Sequence, residues 1–276
     1  MVSMGENYSV LMSVYYKEKP EYLRESMQSI YEQTIPTDDF VLICDGPLNE
    51  KLDAVIHEMQ KKFKKRLKVY QLEKNGGLGN ALNIGIHNCK NELIARMDSD
   101  DISRPDRCER ELNIFKEKPD IAIVSGIVEE FDHDKDFIQA KRVLPEYDCE
   151  IKEFARFRNP FNHPCIMYKK SQVEIAGGYR DFYLLEDYFL WIRMFQCGCK
   201  GYNIQSPLLW MRTGSELYKR RGGWKYAMSQ KALFQYMAEN NYIGKTDYYT
   251  SIIGRTIISI MPNPLREFFY KEFVRG

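Results

Sequence analysis

Phe40-Val41-Leu42-Ile43-Cys44 is an unbroken apolar run without the polar alternation of a half-solvated strand. Similar short runs recur over Tyr8 to Val14, Leu67 to Leu72, Glu92 to Met97 and Ile121 to Val124. Between them the apolar residues fall at helical spacing. Pro20, suited to a first helical turn, precedes Leu23, Met27, Ile30 and Tyr31. Leu52, Val55, Ile56, Met59 and Phe63 form a second such face, Leu78 to Ile86 a third, and Leu112 with Phe115 behind Pro105 a fourth. Strands that are apolar on both faces need helices on both faces, so the pattern predicts an α/β domain with a mostly parallel central sheet. Right-handed crossovers then bring the C-terminal strand ends to one edge. Three turns meet there: Val14-Tyr15-Tyr16, Asp45-Gly46 and Asp98-Ser99-Asp100. The crevice outside such strand ends is where open α/β sheets bind ligands.

Composition narrows the partners. The 276 residues are 44% hydrophobic, enough for a sizeable core, in one large domain or one domain with an appendage. Lys and Arg (40) nearly cancel Asp and Glu (39), so no nucleic-acid partner is expected. The basic run Lys61 to Arg66 reads as the solvated end of a helix. Seven cysteines form no CxxC pair and four histidines are scattered, which predicts reduced thiols in a cytosolic protein rather than disulfides or a zinc site. Met1 to Tyr8 lacks the apolar core of a signal peptide, and no apolar run approaches the ~20 residues of a membrane span. The expectation is a soluble chain, or one that lies on a surface.

Asp98, Asp100 and Asp101 follow Arg96-Met97 at the end of the fourth apolar run. Unpaired buried carboxylates cost several kcal/mol each. The cluster therefore either faces the crevice, where it suits Mg2+ or Mn2+ shared with substrate phosphates, or is a solvated loop whose Asp residues cap the next helix. The crevice lacks both GxGxxG and GxxxxGK[ST] loops, and Ile102 and Ser103 exclude an EF-hand. Asn75-Gly76-Gly77-Leu78-Gly79 reads as a tight turn opening a helix, with Gly79 close-packed on the sheet. Further on, Glu186-Asp187 opens a helix carrying Leu190, Ile192 and Phe195. It is either a favourable pairing with the helix dipole and a cap, or a proton acceptor. His163, in Asn159-Pro160-Phe161-Asn162-His163-Pro164, is either a structural loop histidine or an acceptor contact.

In order, SVYY, a strand ending at Asp45, NGGLGNALNIG, RMDSDDISRPDR and GGY followed by EDYFLW resemble the family-2 inverting glycosyltransferases. The resemblance implies a GT-A fold: a Rossmann-like, mostly parallel sheet flanked by helices. It implies a nucleotide-sugar half over 1–130, an acceptor half over 131–222 and a helical C-terminal extension over 223–276. In that likeness Asp45 and Asp98 hold the nucleoside, and Asp45 points to UDP. Ser13 and Val14 line the base pocket with Tyr15 beside them, and Asn75, Gly77, Asn83 and Ser99 complete the donor site. Asp100, with Asp98, holds Mn2+ or Mg2+, while Asp101 orients the turn into the Pro105 helix. Asp187 is the general base and Glu186 orders it or the acceptor. His163 and Trp191 fall on the acceptor side.

The implied reaction moves a sugar from a nucleotide-sugar donor to a saccharide or lipid-linked saccharide in bacterial polysaccharide assembly. The implied location is cytoplasmic, or peripheral at the inner face of the plasma membrane. The amphipathic stretch 264–275, with Leu265, Phe268, Phe269 and Phe273 on one face, either packs on the domain or contacts that membrane. From other classes, a non-catalytic nucleotide-sugar-binding scaffold remains open. A sugar-nucleotide pyrophosphorylase fits less well, since Val14-Tyr15-Tyr16-Lys17 is not a glycine-rich, Arg-containing turn. A late diphosphate clamp falls to Arg220 or Arg221, against plain surface solvation. Arg220→Ala or Arg221→Ala is expected to raise the donor KM in steady-state assays, and an unchanged KM in both removes the clamp.

Overall fold

The computed structural model describes residues 7–213, 222–262 and 265. Its first half follows the predicted rhythm. Strands β1 (Tyr8–Val14), β2 (Asp39–Cys44), β3 (Leu67–Gln71) and β4 (Leu93–Asp98) alternate with helices α1 (Pro20–Tyr31), α2 (Glu50–Phe63) and α3 (Leu78–Asn88). The four strands are parallel, in the order β3-β2-β1-β4. The register sets Ser13 beside Ile43 on one side and Asp98 on the other, and Val14 beside Cys44. The turns after β1, β2 and β4 therefore share one edge.

Beyond β4 the sheet becomes mixed. Strand β5 (Ile102–Ser103) leads to α4 (Arg107–Glu117) and the long β6 (Ile121–Phe131), then β7 (Ala140–Arg142) and α5 (Asp148–Phe154). After β8 (Ile166–Lys169) come α6 (Lys170–Ile175), α7 (Glu186–Gln196), β9 (Lys200–Arg212), α8 (Trp224–Glu239) and α9 (Lys245–Ile260). Strand β8 lies antiparallel between β4 and β6, and β6 runs parallel to β9. The architecture is thus α/β with a mixed, mostly parallel central sheet and helices at the C-terminal end.

Two strands differ from the sequence reading, each for a physical reason. β6 continues past Val124 to Phe131 although Glu129 and Glu130 look like a polar stop. Both carboxylates are buried because Arg104 and Lys141 pair with Glu129 and Arg142 pairs with Glu130. β9 went unrecognised because Pro207 interrupts it. The proline sits at a register shift opposite Ile127, where a bulge removes the need for its missing donor.

The sheet separates two apolar cores. Leu23, Met27, Leu52, Val55 and Leu112 fill one side, from α1, α2 and α4. Leu82 of α3, Leu190 and Trp191 of α7, and Leu233 and Phe234 of α8 fill the other. Among the described residues no helix is long and apolar enough to cross a membrane. Apart from Leu265, which is exposed, the 264–275 stretch lies outside the described residues, as do Arg220 and Arg221.

Where parallel β4 meets antiparallel β8, the fully buried Arg107 donates to the carbonyls of Arg96 (2.8 Å), Ile166 (3.2 Å) and Pro164 (3.3 Å) and pairs with Glu111 at 3.2 Å. Glu111 is itself fully buried, and burial raises its pKa against the pull of Arg107. Removing one partner strands the other in the interior. Arg107→Ala is expected to cost about 3–5 kcal/mol, read as a lower urea midpoint.

Candidate functional site

The three turns at the sheet edge and the start of α7 form one site, and the helices that carry it are pinned mainly by side-chain amides. The Asp45 carboxylate accepts from the backbone N–H of Gly76 (2.7 Å) and Gly77 (3.1 Å), while Asn75 donates to the Asp45 carbonyl at 3.2 Å. Gly46 sits at φ 87°, and a Cβ there would lie 2.7 Å from the Asn75 nitrogen, so only glycine lets the two loops meet. Asp45 and Asn75, expected at the nucleoside, thus fasten the β2 turn to the loop before α3. Asn83 does the same one element on. Its amide donates to the Tyr179 carbonyl and accepts from the Tyr179 N–H, both at 2.7 Å. That ties α3 to the Gly177-Gly178-Tyr179 turn.

On the other side of that turn, Arg193 of α7 donates to the carbonyls of Ala176 and Gly178. A Cβ on Gly79 would lie 3.5 Å from the Tyr179 Cβ and 4.0 Å from the Glu186 Cβ. The glycine-rich start of α3 therefore abuts the start of α7. Leu184, at φ 59°, holds a left-handed conformation that costs roughly 1–2 kcal/mol for a residue with a Cβ. It stands two positions before Glu186.

The acidic turn divides by partner. Asp98 receives both ends of the Arg96 guanidinium, a bidentate pair in which the arginine is 1% exposed. Burial alone would lower the Arg96 pKa, but the charge and hydrogen bond of Asp98 together with Tyr179 and Tyr168 outweigh it, so the pKa is raised and the guanidinium stays protonated. Asp100 is pushed up to about 7, first by burial and then by the charges of Asp98 and Glu18. Ser99 donates to Glu18 at 2.6 Å, which brings that carboxylate to the turn. Asp101 is 2% exposed and accepts from the Arg212 N–H at 2.8 Å. Burial and its two acidic neighbours raise its pKa well above the usual range. It fastens β9 to the turn, rather than orienting the turn into the Pro105 helix as expected.

A divalent cation fits this chemistry: Asp100 is raised by burial and then by the charges of Asp98 and Glu18, a cation would offset both, and its oxygens suit a hard ion. Among the described residues no three His, Cys, Asp or Glu side chains are grouped to hold a metal. An ion here would draw further oxygens from substrate phosphates or water, the usual manner of Mg2+.

Glu186 and Asp187 start α7 and are both half-buried. The Asp187 carboxylate accepts from Asn159 at 2.6 Å and from the N–H of Tyr188 at 2.7 Å. Glu186 is raised to about 7 by burial and then by Asp187, with Arg96 opposing and Asp98 adding to the rise. Arg96 thus acts on both acidic pairs. His163 bonds the Tyr179 hydroxyl at 2.8 Å, and burial together with the Arg96 charge holds its pKa well below the usual range. The ring is neutral.

Two expected contacts are corrected by burial. Trp191 has no exposed surface and packs on Phe161, His163 and Tyr179, so it supports the site from beneath instead of touching an acceptor. The Val14 side chain is in the core, and only its carbonyl, which accepts from the Asp45 N–H at 2.8 Å, reaches the edge. Tyr15 and Tyr16 stand 40% and 53% exposed at the rim, edge to face at 5.9 Å. Arg96 and Asn159 were missed by sequence reasoning. The signal for Arg96 was a charge inside an apolar strand, which demands a buried partner; nothing in sequence joined Asn159 to Asp187.

Comparison with known proteins identifies the family and the fold. The model of glycosyl transferase family 2 matches residues 9–174. The UDP-Gal:alpha-D-GlcNAc-diphosphoundecaprenol beta-1,3-galactosyltransferase of Escherichia coli is 38% identical, over 97% of this chain and 96% of its own. The amylovoran biosynthesis glycosyltransferase AmsE of Erwinia amylovora is 37% identical, over 98% and 100%. Among solved structures, S. aureus TarS 1–349 in complex with UDP-GlcNAc superposes with a TM-score of 0.67 at 14% identity, over 92% of this chain and 72% of that 1–349 chain. Mannosyltransferase PcManGT from Pyrobaculum calidifontis, in complex with GDP-Man and Mn2+, gives 0.64 at 14% identity, over 96% and 72%. These two share the fold.

The raised Glu186 sets a pH dependence. A carboxyl whose folded pKa lies near 7 favours the folded state at low pH and loses that contribution as pH rises through 7. Glu186→Gln, which cannot ionise, is expected to raise Tm above wild type at pH 8 by a few degrees and to match it near pH 4.5. Thermal melts at the two pH values check this.

Proposed function

The chain belongs to glycosyl transferase family 2, and on that premise we propose that it moves a hexose from a UDP-sugar to a lipid-linked saccharide, inverting the anomeric carbon. The observation that carries the reading is the buried Arg96, paired with Asp98 and acting on Glu186. It makes a single site of two acidic pairs far apart in sequence. The Escherichia coli relative, similar over nearly its whole length, is named for a UDP-Gal donor and a diphosphoundecaprenol-linked GlcNAc acceptor. UDP-galactose and such an acceptor are the first pair to test. The AmsE likeness supports a place in bacterial polysaccharide biosynthesis.

In the proposed step Asp187 accepts the proton of the acceptor hydroxyl as its oxygen bonds to the anomeric carbon. The bond from that carbon to the diphosphate breaks on the opposite face, and the diphosphate leaves with the electron pair. Asn159 holds the Asp187 carboxylate in one orientation from the side. Asp98, already bound at both oxygens by Arg96, is suited to hold a ribose hydroxyl, leaving Asp100 as the metal carboxylate. Mn2+ or Mg2+ held there would neutralise charge on the leaving diphosphate. Tyr15 and Ser13 would border the base at the β1 end.

A second assignment has its own observation. Glu186, near 7, is tuned to accept a proton at neutral pH, so the two dyad roles could be exchanged. Asp187→Asn is expected to lower kcat roughly 10²–10⁴-fold while UDP binding persists. A larger loss for Glu186→Gln, with Asp187→Asn near wild type, reverses the roles. Unchanged transfer in both removes the catalytic reading and leaves a binding protein. UDP with Mn2+ at 100 times its Kd should stabilise the fold by about 2.7 kcal/mol. Asp100→Asn should abolish the Mn2+-dependent part of that thermal shift.

A further inference from the structure

Helix α1 presents a buried polar edge to the acidic turn. Its apolar side fills the core through Leu23, Met27 and Ile30. Ser26, Ser29 and Gln33 are buried as well, and each is bonded to the chain around the turn. Ser26 donates to the Asp98 carbonyl at 2.9 Å. The Ser103 N–H donates to the Ser29 hydroxyl at 3.0 Å, and Gln33 donates to the Arg104 carbonyl at 2.7 Å. Buried polar side chains stay in a core only when bonded, and here their partners are the main chain on either side of Asp100.

Arg212 completes this frame at Asp100 itself. It stands at the end of β9, opposite Phe131 of β6. Its Nε donates to the Asp100 carbonyl at 3.1 Å, and its Nη2 to Glu25 of α1 at 2.6 Å. The guanidinium carbon lies 3.9 Å from the centroid of the Tyr22 ring, also on α1, and 4.6 Å from that of Phe131. The side chain is 9% exposed. The same residue's N–H holds the Asp101 carboxylate. Arg96 takes the Asp98 carboxylate, and Glu18 the Ser99 hydroxyl. The Asp100 carboxylate is left without a hydrogen bond from another residue among the described residues. The frame is held, and one pair of oxygens is open.

Charge and geometry make opposite demands on Arg212. A guanidinium beside a cation site repels the cation, so by charge alone Arg212 would weaken metal binding. Any favourable effect must come through the shape it imposes on the turn. We infer that Arg212 is a positioning residue for the cation carboxylate: by fixing the Asp100 main chain against α1 it sets the affinity for the divalent cation, without touching cation or nucleotide. This rests on Asp100 as the metal carboxylate proposed above. Groups that orient a metal ligand from behind commonly change metal affinity roughly 10–100-fold when removed.

UDP is titrated calorimetrically into the full-length protein at a series of Mn2+ concentrations. For wild type the UDP affinity should rise with Mn2+ to a plateau. Arg212→Leu, which keeps apolar contact with the two rings, should raise the Mn2+ concentration at the midpoint of that rise roughly 10–100-fold. Arg212→Lys should raise it too, since one ammonium lacks the fork that spans the Asp100 carbonyl and Glu25. Ser26→Ala, which releases the Asp98 carbonyl from α1, should move the midpoint in the same direction. The plateau should match wild type in all three. Melts without ligand show which variants are folded, and Arg212→Lys, the milder change, carries the test if Arg212→Leu is not. A lower midpoint in Arg212→Leu overturns the proposal, because Arg212 then acts by charge. A lower plateau at the wild-type midpoint overturns it too, because Arg212 then contacts the nucleotide. If wild-type UDP binding depends on neither Mn2+ nor Mg2+, the metal reading of Asp100 falls and this inference with it. If it does depend on the cation and both Arg212 variants keep the wild-type midpoint, the role of Arg212 alone falls.

Discussion

A guanidinium buried at the end of β4 organises the functional edge of this protein. Arg96, 1% exposed, is paired at both ends with Asp98 next to Asp100 and Asp101, and removing either partner would leave the other's charge unmatched at the edge of the core. The same charge opposes the rise of Glu186 and adds to the burial that keeps His163 neutral. In a low-dielectric interior one fixed cation acts strongly on every acid around it. Arg107 completes the arrangement from behind by accepting no role at the surface and binding the Arg96 carbonyl, which locks the strand that carries the pair. The Nε of Arg96 has no hydrogen-bond partner among the described residues, so the cation is held chiefly by its two contacts to Asp98.

Around that centre, asparagine amides do the joining. Asn75 ties to the Asp45 carbonyl, Asn83 to both backbone groups of Tyr179, and Asn159 to the Asp187 carboxylate. An amide can donate and accept at once, so Asn83 satisfies a loop N–H and C=O together where a carboxylate could serve only one. The turns they hold are short and contain left-handed glycines, and such backbone persists only where neighbours over-determine it. Preorganised loops matter for a site meant to meet a charged diphosphate, because no reorganisation then remains to be done during reaction.

Much of the fold was legible because burial on both faces leaves a direct trace: β1, β2, β3 and β4 read as apolar runs, and α1 to α3 as 3.6-residue stripes between them. Legibility failed where polar residues were buried with partners from elsewhere. Glu129 and Glu130 hid the second half of β6, since their pairing with Arg104, Lys141 and Arg142 leaves no local trace. Pro207 hid β9, since a bulge can only be judged against the strand opposite. The site shows the same division. Glu186-Asp187 and Asp98 to Asp101 stood out as unexplained carboxylates. Trp191 looked like an acceptor contact because an aromatic beside an acidic pair carries no mark of which way it points.

What the sequence determined by itself was the architecture, a parallel α/β edge with carboxylates at its strand ends, while the order of its motifs added the resemblance to nucleotide-sugar enzymes. Apolar periodicity and the position of charges relative to it suffice for the architecture, since both follow from local geometry and the cost of burying ions. Tertiary structure decided which carboxylates are already engaged and which remain open to a ligand. Asp45 is taken up by the Gly76 and Gly77 N–H groups and Asp101 by β9, while Asp100 and Glu186 are left raised by burial and repulsion. That outcome depends on long-range partners, and a side chain's ionisation is set by the charges that folding brings near it rather than by its neighbours in the chain.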